Sequence, residues 1–214
     1  MEIIGIYPPY LYAVKYSGDN LNIYRLTIKN LTDDEYLENF FNTFKDKIGD
    51  YLITTTGYSR DEIEEYEAET NDQMIDISEE LKQICNDLRS GKLSDFQGYF
   101  KPHSKYDFSI PPDGGGNSQA YGVSYLPVKC YGSGRPSLVR LYAIELSYDC
   151  YLIIFGGIKI TKTTEDCPAF DSEESVTTLE TEIRRRLHMV CNFLKENNIV
   201  DRQGLLDYME EDHE

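Results

Sequence analysis

Apolar residues recur along the chain at two different periods, and the change of period marks the layout. Residues 10–16 and 21–28 alternate around Ser17-Gly18-Asp19-Asn20, which predicts a β-hairpin. From Thr32 the period lengthens. Tyr36, Leu37, Phe40, Phe41, Phe44 and Ile48 fall on one helical face. Thr32 and Glu35 have the spacing of a capping box, with Leu31 and Tyr36 as its staple, and Gly49 marks the stop. A second box, Ser59-Arg60-Asp61-Glu62, opens a longer repeat through Ile63, Tyr66, Thr70, Met74, Ile77, Leu81, Ile84 and Leu88, ending at Ser90-Gly91. Thr70-Asn71-Asp72 is a point where it could divide in two. The two helical stretches are expected to pack as an antiparallel pair, with the Glu-rich run at 62–69 as its solvated face.

After residue 99 the short period returns. Pro111-Pro112-Asp113-Gly114-Gly115-Gly116-Asn117-Ser118 cannot hold a helix or a central strand and reads as a mobile loop within 99–120. Three β-like runs follow, at 120–130, 137–146 and 150–160, the last two joined by a tight turn at Ser147-Tyr148-Asp149. Tyr151-Leu152-Ile153-Ile154-Phe155 is apolar on both faces, as expected of a central strand covered on both sides. Val176, Leu179, Ile183, Leu187, Val190 and Leu194 define a helix ending near Asn197-Asn198, and a shorter one carries Leu205, Leu206 and Met209. The expected fold is one α+β domain over 1–214: an antiparallel sheet with an N-terminal helix pair and a C-terminal helix packed on it, and 171–214 as a C-terminal helical segment. No internal repeat interrupts it.

Composition adds limits. The formal net charge of −17 opposes a general affinity for nucleic acid or anionic lipid. That acidity belongs to the two ends, since residues 101–170 hold 7 bases against 6 acids. No apolar run approaches the ~20 residues of a membrane span, and MEIIGIYPPYLY lacks the marks of an export signal, so a cytoplasmic protein is expected. Five cysteines without a C-x-x-C pair read as reduced thiols, and three scattered histidines argue against a zinc site.

No P-loop, dinucleotide fingerprint or nucleophile elbow occurs. What stands out is a strand with an interior arginine, Val139-Arg140-Leu141-Tyr142, hairpinned to an apolar strand that ends in Gly156-Gly157-Ile158-Lys159-Ile160-Thr161-Lys162-Thr163 before Pro168. Lys129, Arg135, Arg140, Lys159 and Lys162 face only Glu145 and Asp149 over that stretch. Clustered cations at strand ends suit a phosphate or another anion. Each also has a plainer reading. Arg140 could pair with an acid from a helix, and Lys159 and Lys162 could guard a sheet edge. Arg184, Arg185 and Arg186 are expected to pair with Glu180 and Glu182 within their own helix, and His103 to be an ordinary surface residue.

Residues 139–168 resemble the C-terminal half of the RelE/ParE/HigB superfamily of toxins from toxin–antitoxin pairs, in particular its phage-derived branch. There an arginine-bearing strand leads to an apolar strand, a glycine turn, a lysine–threonine run, a proline and a helix. The resemblance implies a RelE-like fold and an endoribonuclease that cleaves mRNA by metal-independent phosphodiester transesterification, on or off the ribosome, with no cofactor. It implies a small antitoxin-like protein partner, no membrane and no stable DNA binding by the chain alone. Carried over by position, Arg140, Lys159 and Lys162 would hold the scissile phosphate, and Tyr142 would stack or transfer a proton. The alternative is a non-catalytic protein of the same fold that binds a protein partner, motivated by the acidity and by the absence of an assignable general base.

Overall fold

The computed structural model describes residues 1–92, 96–103, 125–132, 137–169 and 177–211. The chain opens with β1 (Glu2–Tyr7) and β2 (Leu11–Lys15), an antiparallel hairpin closed across the cis Pro8-Pro9 bond. The hairpin expected around Ser17-Gly18-Asp19-Asn20 does not form. Its second arm is α1 (Ile23–Leu31). Asn22 caps that helix by accepting the Arg25 N–H at 3.0 Å, and Ile23, Tyr24, Thr27 and Leu31 are buried at helical spacing. Over so few residues a 3.6-residue repeat and a two-residue repeat are hard to tell apart, and the cap decides.

Asp33 caps α2 (Asp34–Phe44), its carboxylate accepting the Tyr36 N–H at 3.0 Å. Thr32, expected as the cap, instead closes α1 by donating its hydroxyl to the Ile28 carbonyl at 2.8 Å. A 3-10 turn (Lys45–Lys47) and α3 (Asp50–Thr56) fill the connection to α4 (Ile63–Arg89). That helix is unbroken: the Thr70 hydroxyl donates to the Tyr66 carbonyl at 2.6 Å within it. Half of the second capping box is made, the Glu62 carboxylate accepting the Ser59 N–H. Stacked Phe41 and Tyr66, 5.7 Å between centroids, and the Lys45–Asp61 ion pair join the end of α2 to the start of α4, so the helices run in opposite senses as expected.

The remaining strands are β3 (Lys101–Pro102), which follows the short α5 (Phe96–Tyr99), then β4 (Leu126–Cys130), β5 (Val139–Ser147) and β6 (Cys150–Ile158). They join the first hairpin in the order β1-β2-β6-β5-β4-β3. β6 is central and buried from Cys150 to Phe155, as its apolar run requires. The sheet, however, is mixed and not antiparallel throughout. β2 lies parallel to β6, with Leu11 opposite Tyr151 and Ala13 opposite Ile153. Parallel pairing needs a crossover, which α1 to α4 supply, and turn signals reveal only hairpins between sequence neighbours.

A small pair, β7 (Pro168–Ala169) and β8 (Thr177–Thr178), precedes α6 (Leu179–Glu196) and α7 (Arg202–Glu211). α1 and α4 cover one face of the sheet. Gly156 lies so close to Thr27 of α1 that a methyl group there would overlap its side chain, and Gln73 Oε1 of α4 accepts the Leu138 N–H at 2.6 Å. α6 covers the other face, where the Arg186 guanidinium sits 4.6 Å from the Tyr16 ring and 5.0 Å from that of Phe155. Arg184 pairs with Glu180, and Arg185 and Arg186 pair with Glu182, as expected. The Pro/Gly loop at 111–118, the start of the 120–130 run, Arg135 and Val176 lie outside the described residues. Among the described residues no helix is long and apolar enough to cross a membrane.

Candidate anion site on the sheet

Register brings the cations together. Lys101 stands opposite Lys129, Lys129 opposite Tyr142, and Arg140 opposite Gly157. Because side chains alternate along a strand, Lys101, Lys129, Tyr131, Arg140 and Tyr142 share one face. Lys159 lies two residues beyond Gly157, its N–H donating to the Leu138 carbonyl at 2.8 Å, and so falls beside Arg140. The Tyr131 ring is flanked by two of these cations, Lys101 Nζ at 5.4 Å and Arg140 Cζ at 5.0 Å from its centroid.

Arg140 is half-buried and bound to its own strand end. Its Nη1 donates to the Ser137 carbonyl at 2.8 Å, the Ser137 hydroxyl at 2.9 Å and the Val139 carbonyl at 2.7 Å. Among the described residues no helix carboxylate pairs with it, contrary to the plainer reading. The Nε–Nη2 edge makes no hydrogen bond among the described residues. Burial holds the Arg140 pKa below the usual guanidinium value. Lys159 donates to the Thr161 carbonyl at 2.5 Å and the Lys162 carbonyl at 2.7 Å, and its Nζ lies 5.6 Å from the Tyr51 ring centroid. Burial, and then the neighbouring Arg140 charge, lower its pKa to about 8.

Tyr142 lies at the back of this group, 2% exposed, its ring stacked on Phe155 at 6.2 Å. Its hydroxyl has no hydrogen-bond partner among the described residues, and burial raises its pKa well above that of an ordinary phenol. A phenol so held is a hydrogen-bond donor and not a base. His103 is not a surface residue. It is 5% exposed, its ring 5.7 Å from that of Tyr142, because β3 carries it inward against β4, where its N–H donates to the Pro127 carbonyl at 3.0 Å.

Of the four residues singled out, Arg140, Tyr142 and Lys159 therefore come together. Lys162 is exposed on the loop after β6; only its carbonyl joins the group, through Lys159. Neither lysine guards a sheet edge, since β6 is central. Sequence reasoning missed Lys101, Tyr131 and His103. Lys101 lies in a strand too short to carry a period, more than twenty residues from its partner, and His103 directly follows it. Among the described residues no set of three or more His, Cys, Asp or Glu side chains is grouped as metal ligands.

The fold and this patch define an α+β protein with a mixed sheet and a cationic, tyrosine-lined area on one face. No protein-family model, no curated protein and no solved structure matches the chain.

Proposed function

We propose that the chain is a non-catalytic binding protein of RelE-like layout that holds a small basic protein of antitoxin type. The observation that carries this reading is the carboxylate face shared by α2 and α4. Asp34 and Glu38 on α2 and Glu64 and Glu67 on α4 make no ion pair among the described residues, and burial and then the charges of Glu38, Glu64 and Asp34 raise the Glu67 pKa above the usual carboxylate value. A cationic partner seated there relieves that repulsion and gains desolvated charge pairs. At the cationic patch, meanwhile, the Tyr142 hydroxyl is a poor base, and part of Arg140 and Lys159 is engaged by main-chain carbonyls.

Purification of the native chain from its own cells at low salt tests this. The expected result is a defined complex with a small basic protein that dissociates above roughly 0.5 M salt. Glu38→Lys with Glu67→Lys should abolish it. A chain recovered alone, or a complex indifferent to the double variant, would overturn the reading.

One observation favours the second reading, a toxin-type endoribonuclease. Lys159, with a pKa of about 8, stands beside Arg140 and is the kind of amine that serves as a proton acceptor near neutrality. Under that reading Arg140 holds the scissile phosphate of mRNA and Lys162 adds charge from the rim. Purified protein should then cleave single-stranded RNA in EDTA to 2′,3′-cyclic ends, and Arg140→Ala or Lys159→Ala should lower the rate ~100-fold or more. No cleavage above a buffer control would remove it.

A further inference from the structure

We propose that the sheet face bearing Lys101, Tyr131, Arg140 and Lys159 is a binding site for a phosphate dianion, either free or as the phosphomonoester of a small molecule. The inference stands apart from the carboxylate face of α2 and α4, and either can fail alone.

Three observations converge. Arg140 and Lys159 are like charges brought side by side at a half-buried strand end, and no carboxylate pairs with either among the described residues. Like charges withdrawn from water are costly without a counter-charge, and the depressed pKa of Lys159 reports that cost. The Arg140 head is oriented: Nη1 is fixed by the Ser137 and Val139 carbonyls, which leaves the parallel Nε–Nη2 pair as a bidentate fork for an oxyanion. Tyr131 completes the clamp, holding the Arg140 plane at 5.0 Å and Lys101 at 5.4 Å. Behind them is the Tyr142 hydroxyl, buried and unpartnered among the described residues, within the field of Arg140.

The charge count sets the ligand class. A carboxylate offers two oxygens and one charge, which the guanidinium fork alone satisfies. Donors from Arg140, Lys159 and Lys101 approach from different strands and suit a group with three terminal oxygens and two charges.

Titration calorimetry of the full chain with inorganic phosphate, at an ionic strength fixed with sodium chloride, tests the site. AMP and adenosine serve as the organic probe and its control. The expected result is one phosphate per chain, with affinity lowered about tenfold in Arg140→Gln and about threefold in Lys101→Gln. Lys195→Gln, in the last turn of α6 and outside the cationic group, should leave it unchanged. Lys101 is exposed, so its variant keeps the test available should Arg140→Gln fail to fold. AMP binding tighter than phosphate identifies an organic phosphomonoester as the source, and equal affinities identify the free ion. The proposal is overturned if phosphate binds no better than chloride, if adenosine matches AMP, or if Lys195→Gln weakens binding as much as Lys101→Gln.

Discussion

Glu182 shows how a residue's surroundings reverse the reading its sequence context suggests. It stands in the first turn of an exposed-looking charged helix, yet it is 5% exposed and accepts hydrogen bonds from both Arg185 and Arg186. Arg186 in turn is 6% exposed and lies against Tyr16 and Phe155. Such a pair is tolerated because each charge has its partner and the guanidinium its aromatic faces. Removing one member leaves the other charge buried and uncompensated. Glu182→Gln is therefore expected to cost about 3 kcal/mol in urea unfolding, and Glu182→Leu with Arg186→Leu to recover most of it. A loss below ~1 kcal/mol for the single variant would show that water reaches the pair. The pairing of Arg184, Arg185 and Arg186 with Glu180 and Glu182 was legible, because intrahelical spacing alone fixes it. Their burial was not, because it depends on which face of α6 meets the sheet.

Among the elements, the first hundred residues show how capping outranks pattern. Two candidate caps stand side by side, Thr32 and Asp33, and the helix uses the aspartate. Asp33→Ala should cost about 1 kcal/mol in thermal unfolding, while Thr32→Ala, which removes no N-cap, should cost less than half of that. Equal losses would return the cap to Thr32. The contact between α1 and β6 makes a sharper demand. Gly156 admits Thr27 against the bare strand, and Thr27 cannot swing away freely because its hydroxyl donates to the Ile23 carbonyl at 2.7 Å. Gly156→Ala should destabilise by about 2 kcal/mol, and Thr27→Ala in the same chain should return part of the loss. No loss on Gly156→Ala would place α1 farther from the sheet.

The molecule as a whole stores much of its titration behaviour in buried thiols and phenols. Burial raises Cys85, Cys130 and Cys191 to about 12, Cys150 to about 11, and Tyr12, Tyr24 and Tyr125 to about 12. A folded-state pKa above the unfolded value adds stability that is complete below the unfolded pKa and is lost as pH rises through the folded one. Stability under reducing conditions should thus hold near neutrality and fall between about pH 9 and 12. Lys159 works the other way, since its folded pKa of about 8 is below its unfolded value. Its burial cost is full below pH 8 and disappears as pH rises toward the ordinary lysine range, so Lys159→Met should gain stability at pH 7 relative to the parent and less at pH 10. Chemical unfolding across pH 7 to 11 measures both slopes. A flat profile would mean the thiols and phenols reach water.

Along the chain, periodicity and caps already specify α2, α4, α6, the β5–β6 hairpin and the burial of β6, because each rests on neighbours within a few residues of one another. The same local information places Arg140 at the start of β5 and Lys159 just past the end of β6, together at the open end of the hairpin. Long-range contacts settle the rest: the parallel seam between β2 and β6, the docking of α1 on Gly156, the inward turn of His103, and the arrival of Lys101 beside Tyr131. These depend on segments far apart in sequence, whose pairing is set by which faces must leave water together and leaves no mark at any single position.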